Sequence, residues 1–276
     1  MIIREQKLKG KRRDASLCED ALAVTDDYIA VIDGMTSKTA RLYGGRTTGR
    51  YASEVIASAV SLLPPGISFR QAVERLTEEI RRAYLREGCL PDAEEKRENR
   101  FAAGFIGYSR ARREIWSLGD CQCMVNGKIF SFEKKADETA SAARALYLEA
   151  ELQQGKTVEE LMRRDASREV ILPLLKAALA FENAVQDSGF AFGVLDGFPV
   201  PEKYLEVVPV QIGDEVVLAS DGYPKLFATL QESEEYLQHI LREDPLCFRK
   251  FRSTKGLAEG NASYDDRAYI RFFVNS

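Results

Sequence analysis

Short runs of alternating and clustered apolar residues open the chain with a strand period. Ile2 to Lys7, Asp20 to Val24 and Tyr28 to Asp33 read as strands, the last two joined as a hairpin by Thr25-Asp26-Asp27. The period then changes. Ala52, Val55, Ile56, Ala59 and Leu63 recur near helical spacing, which predicts a helix over Thr47 to Leu63 stopped by Pro64-Pro65-Gly66. Ser68 carries the hydroxyl of an N-cap for a second helix reaching about Arg86, with Glu74, Glu78, Glu79, Arg75, Arg81 and Arg82 on a charged face. Asp92 to Arg100 is a charge run and reads as a solvated loop or helix end.

Strands resume at Phe101 to Tyr108 and Glu114 to Leu118. Cys121 to Val125 and Lys128 to Phe132 flank Asn126-Gly127, a pair suited to a tight hairpin with both turn residues at positive φ. Asp137 to Gln154 and Val158 to Phe181 are helical patterns parted by Gly155-Lys156. Tyr204 to Ile212 and Glu215 to Ala219 read as strands around Gly213-Asp214, Glu232 to Arg242 as a helix and Arg267 to Val274 as a last strand. Strand runs broken by paired helices predict an α+β sandwich with helices outside two sheets. With no repeat and no Pro-, Gly- or Ser-rich linker, one domain is expected over 1–276.

Composition narrows the function classes. At 45% hydrophobic over 276 residues the chain can bury a core, and a net charge of −4 argues against binding nucleic acid by a basic surface. No apolar run approaches the roughly 20 residues of a membrane span, and Met1 to Arg13 holds no apolar signal region, so a cytoplasmic protein without a membrane partner is expected. Five cysteines stand at scattered positions. Cys121 and Cys123 share one face of a strand, but without a second pair or histidines they read as buried reduced thiols rather than zinc ligands. The single histidine, His239, falls in a helical pattern with no motif beside it, and reads as a surface residue.

The chemistry of the chain is concentrated in carboxylates. Apolar runs end on Asp33, Asp120 and Asp221, Asp265 follows Ala262-Ser263-Tyr264, and Gly34 and Gly222 come directly after Asp33 and Asp221. An Asp-Gly pair after a strand is often only a turn. Several strand-terminal carboxylates at one sheet rim, however, repel one another unless cations sit between them. Such an all-oxygen site suits magnesium or manganese, which can lower the pKa of a held water for attack on phosphorus. Glu19-Asp20, just before a strand, can reach the same rim.

Taken in order, Cys18-Glu19-Asp20-Ala21, Ile32-Asp33-Gly34-Met35, Leu118-Gly119-Asp120, Leu218-Ala219-Ser220-Asp221-Gly222 and Ser263-Tyr264-Asp265-Asp266 resemble the motifs of the metal-dependent protein phosphatases, the type 2C serine/threonine phosphatases. The resemblance spans nearly the whole chain and implies a four-layer αββα sandwich of two antiparallel sheets flanked by helices. It implies that Asp33 bridges two Mg2+ or Mn2+ ions, that Asp221 and Asp265 ligate one of them and the Gly34 carbonyl the other, and that Glu19 and Asp20 hold metal-bound waters. Asp120 matches an aspartate that helps to bind a weak third ion. The implied activity is hydrolysis of phosphoserine or phosphothreonine in a protein substrate. A small-molecule phosphatase and a partner-binding member without turnover are the alternatives.

Departures from the family pattern bear on the details. Ala15 stands where an arginine often binds the substrate phosphate, which leaves Arg13 as the candidate for that role. Met35 stands where some members have a histidine, as in many bacterial-type members, and Thr36 where a glycine is common. Lys225 stands at a further third-metal aspartate position, and Pro224 before it predicts a helix start, from which the Lys225 ammonium either approaches Asp120 or points to water.

Overall fold

A computed structural model describes all residues except Glu133, Asp165, Asp187 and Ser276. Among the described residues ten strands form two antiparallel sheets. In the first, β1 (Ile2–Lys9), β10 (Arg267–Phe273), β9 (Glu215–Ala219), β6 (Gln122–Val125) and β7 (Lys128–Ser131) lie in that order. In the second the order is β2 (Ala21–Val24), β3 (Tyr28–Gly34), β4 (Ala103–Ser109), β5 (Glu114–Leu118) and β8 (Glu206–Pro209).

Alternation along the strands builds the layers. In β3, Ile29 and Val31 point between the sheets, where they join Val216 and Leu218 of β9 and Ala268, Ile270 and Phe272 of β10. Ala30 and Ile32 point the other way, against α1 (Thr48–Val60) and α2 (Phe69–Arg86), whose Ala52, Ile56, Leu76 and Ile80 are fully buried there. Phe69 of α2 stacks on Trp116 of β5 with ring centroids 5.3 Å apart. On the outer face of the first sheet, Val217, Ala219 and Tyr269 are covered by Tyr223 and Leu226, on the segment that leads into α7 (Leu230–Glu243). The α+β sandwich expected from the strand and helix periods is therefore the fold. No helix among the described residues is long and apolar enough to cross a membrane.

Local signals held where the chain chemistry is self-contained. Ser68 caps α2 through a full capping box with Gln71, and Asn126 and Gly127 take φ of 49° and 82° in the β6–β7 turn. His239 is exposed on α7. Other expectations are corrected. The single helix over Val158 to Phe181 is broken into α5 (Val158–Arg163), α6 (Ala166–Ala178) and a 3-10 turn at Leu179–Phe181, with Arg164 extended at φ −140° and ψ 98°. Separate packing partners account for the break: Leu161 joins Leu148, Leu246 and Phe248, whereas Ile171 and Leu175 bury against Ala140 of α4 (Lys135–Gln153). The 92–100 charge run forms α3 (Leu90–Glu95) and a 3-10 turn, and its last arginines turn inward. Arg97 Nη1 donates to the Glu182 carbonyl at 2.7 Å and Arg100 Nη1 to Asp196 Oδ2 at 2.8 Å.

That inward turn surrounds a buried carboxyl. Burial and the neighbouring Asp196 carboxylate push Glu182 up to about 8, so at neutral pH it keeps a proton. The unfolded chain ionises this residue near 4.5. Between those values the folded state holds the extra proton, and stability falls as pH rises. Glu182→Gln, which keeps a donor without a titration, is expected to raise the melting temperature at pH 8.5 and to change it little at pH 5. Thermal melts at both pH values check this, and equal shifts at both would count against it.

All five cysteines are buried, and none forms a disulfide among the described residues. Burial pushes the Cys123 thiol up to about 12 and Cys121 well above the usual range, the latter helped by Asp33 and Asp120. Native protein is expected to react negligibly with a disulfide reagent and to hold no stoichiometric zinc. Unfolding should release all five thiols to the reagent. Prompt labelling of the native state, or one zinc per chain lost on Cys121→Ser, would overturn this expectation.

Candidate metal centre

Strand ends from both sheets deliver the acidic residues to one place. Asp33-Gly34 closes β3, and Ser220-Asp221 follows the last residue of β9. The Asp221 backbone N–H donates to Asp33 Oδ2 at 3.4 Å, which links the two sheets. Glu19-Asp20 precedes β2, whose Ala21 pairs with Ile32 of β3. Asp265-Asp266 precedes β10, whose Tyr269 pairs with Ala219. Asp120 follows β5 through Gly119, at φ 103°, and lies over Gly104, the β4 partner of Asp33.

Close backbone approach makes this convergence possible. A Cβ on Gly34 would stand 2.3 Å from the Glu19 carbonyl oxygen and 2.5 Å from that of Gly49, so only glycine lets the end of β3 meet the first turn of α1. Thr47, the N-cap of α1, donates its hydroxyl to Glu19 Oε1 at 2.7 Å.

The carboxylates are not equivalent. Burial pushes Asp33 well above the usual carboxylate range, with Asp20, Asp120 and Asp265 adding to it. Burial does the same to Asp221, aided by Asp33, Asp265 and Asp120. Asp20 is also pushed up by burial, and its Oδ2 has no hydrogen-bond partner among the described residues. Asp265 behaves oppositely: burial would raise it, but Lys255 and Lys11 outweigh burial and hold it well below its ordinary value. Lys134 Nζ lies 2.7 Å from Asp120 Oδ2.

Every sequence-derived metal residue thus reaches this rim, whereas Arg13 lies exposed on the loop before it and makes none of the described contacts there. Lys225 lines an open cleft together with Asp120 and Asp221, but no helix starts at it. The segment after Pro224 is irregular, α7 begins only at Leu230, and the Lys225 ammonium sits 5.0 Å from the Phe227 ring centroid. The lysine on Asp120 is Lys134, just ahead of α4. Sequence reasoning missed Lys11, Lys134 and Lys255. Lys11 could have been noticed, being two residues from Arg13; Lys255 has no local signal.

A small cavity of 70 Å³ is bounded by Asp33, Asp120 and Asp221 together with Lys38, Lys134 and Lys255. It shares Asp120, Lys134 and Asp221 with an open cleft of 580 Å³. The donor set fits a hard cation: oxygens only, Asp33 and Asp221 raised by burial and mutual repulsion, and an orphaned Asp20 oxygen nearby. Among the described residues no group of three or more Asp, Glu, His or Cys side chains is placed to hold a metal ion by itself.

The rim is therefore a carboxylate-rich candidate site for a divalent cation. No protein-family model and no curated protein matches the chain, but solved structures do. The Mycobacterium tuberculosis serine/threonine phosphatase PstP/Ppp aligns over 100% of both chains at 15% identity, with a TM-score of 0.49. The catalytic domain of PstP in complex with 2 manganese ions aligns over 99% of each chain at 16% identity and a TM-score of 0.49. Staphylococcus aureus Stp1, a serine/threonine phosphatase, aligns over 100% of this chain and 96% of its own at 15% identity and a TM-score of 0.47.

Proposed function

We propose that this chain is a metal-dependent phosphatase of the type 2C kind, acting on phosphoserine or phosphothreonine in proteins. The observation that carries the reading is the meeting of Asp33 and Asp221, from different sheets, with no lysine on either carboxylate among the described contacts and a cavity in front of them. Asp33 and Asp221 would hold the cation, with the Gly34 carbonyl and Asp20 as further oxygen donors. A divalent cation there supplies Lewis acidity, which lowers the pKa of a coordinated water and offsets charge on phosphoryl oxygens.

The chain itself supplies the rest. Lys38, Lys134, Arg168 and Lys255 line the same small cavity and give it a cationic wall suited to a phosphoryl group. The unpartnered Asp20 Oδ2 is available to accept a hydrogen bond from a water. The adjoining cleft is open enough to admit a peptide segment beside the cavity.

A second reading, a partner-binding member without turnover, is favoured by the lysines that already neutralise Asp265. Hydrolysis of p-nitrophenyl phosphate and of phosphoserine and phosphothreonine peptides, each with and without manganese, separates the two. Metal-dependent turnover of the peptides supports the proposal, turnover of the small ester alone points to a small-molecule phosphatase, and no turnover leaves the binding reading.

A further inference from the structure

Among the described residues the rim gathers Glu19, Asp20, Asp33, Asp120, Asp221, Asp265 and Asp266, and lysines treat these carboxylates unequally. Lys11 Nζ lies 3.2 Å from Glu19 Oε2, 3.3 Å from Asp265 Oδ1 and 3.0 Å from Asp266 Oδ2. An ammonium has three protons, so this one is fully used. Lys255 Nζ contacts Asp265 Oδ2 and donates to Thr36 Oγ1 at 2.8 Å. The Asp266 backbone N–H also donates to Asp265 Oδ1, at 2.9 Å. Both oxygens of Asp265 are thus engaged.

These are not solvated surface pairs. The Asp265 side chain is 8% exposed, Lys11 13% and Lys255 20%. Two ammonium groups bring the same charge as one divalent cation, and both are tethered to the chain. Asp33 and Asp221, by contrast, have no lysine within hydrogen-bond distance among the described contacts; Lys134 and Lys255 act on them only through the field. The Asp20 Oδ2 atom, on a residue only 6% exposed, has no partner among the described residues and sits within the field of Asp221 and Asp265.

We infer that Lys11 and Lys255 stand in for the divalent cation that the family resemblance implies at Asp265, so that the chain loads a single ion, on Asp33 and the Gly34 carbonyl with Asp221 beside it, where the resemblance implies two. This rests on the reading of the rim as a cation site and alters its stoichiometry. Asp265 then acts as an anchor for the lysines rather than as a metal ligand, and Lys255 faces both Asp265 and the cavity.

Metal counting tests this without reference to turnover. The full chain, stripped with chelator and titrated with manganese, is analysed by calorimetry and by elemental analysis after gel filtration, with circular dichroism to confirm folding. Wild type is expected to bind one ion per chain. Asp265→Asn should still bind one, with affinity within about twofold of wild type, whereas loss even of an outer partner of a true ligand costs roughly 10–100-fold. Lys255→Met should bind a second ion, and Lys255→Arg should not. Two ions in wild type, a tenfold loss of affinity in Asp265→Asn, or a single ion in folded Lys255→Met overturns the inference and leaves the metal-site reading standing. No ion in wild type removes both. If Lys255→Met does not fold, the Asp265→Asn affinity decides alone.

Discussion

Asp33→Asn is expected to reduce manganese-dependent hydrolysis at least about 100-fold, since loss even of outer partners of metal ligands costs roughly 10–100-fold. The same change should raise the melting temperature of metal-free protein. Asp33 is held above its ordinary pKa by burial and by Asp20, Asp120 and Asp265, so its ionised form costs stability at neutral pH. The sign follows from that shift. The folded state binds a proton the unfolded state has released, and stability falls as pH rises above the ordinary carboxylate range. Asparagine removes that cost while its amide oxygen keeps the bond from the Asp221 N–H. Manganese should raise the melting temperature of wild type and leave the variant unchanged, because an ion that binds only the folded state stabilises it. Melts with and without manganese, run beside initial rates, check all three outcomes. Wild-type turnover in folded Asp33→Asn would falsify the metal reading.

Gly222→Ala is expected to be the most damaging small substitution near the site. A Cβ at this position would stand 1.9 Å from the Asp266 carbonyl oxygen and 2.8 Å from the Arg267 Cβ. The obstacle is backbone and cannot rotate away. Relief requires the exit of β9 to part from the entry of β10, which separates Asp221 from Asp265 and disturbs the sheet between them. The cost is expected to be about 3–5 kcal/mol, or a fall in melting temperature of roughly 10 °C for a chain of this size. Activity should fall with it. Gly189→Ala is the control, because nothing among the described residues lies within 4 Å of a Cβ there, and a change within about 0.5 kcal/mol is expected. A Gly222→Ala melting curve that overlays wild type would show that the approach of the two strands is not required.

Much of the site was legible because its signals are local. A strand that ends on Asp33-Gly34 or Asp221-Gly222 announces a rim carboxylate in two or three residues, and the reason for each glycine is a backbone approach that any side chain would block. The strand and helix periods likewise reflect which face of each element is buried. For that reason β5 and β9 matched the expected bounds and Ser68 capped α2. Expectations went astray where a partner distant in sequence decides. The helical pattern of 158–181 is continuous in apolar spacing, yet its two parts pack against different neighbours and the chain bends between them.

Charge neutralisation shows the same division most clearly. Residue type and order alone determined that acidic groups would gather at strand ends, because that follows from where apolar runs stop. Which cation meets which carboxylate depends on atoms brought from 8, 254 and 255 residues away, as Lys11 is from Glu19, Asp265 and Asp266. Sequence left Lys225 between Asp120 and open water; the turn through Pro224 carries it to the ring of Phe227, and Lys134 takes the contact with Asp120. Coulomb energy in a buried site changes steeply over a few ångströms. Only the tertiary structure sets those distances, and with them which carboxylates are left for a metal.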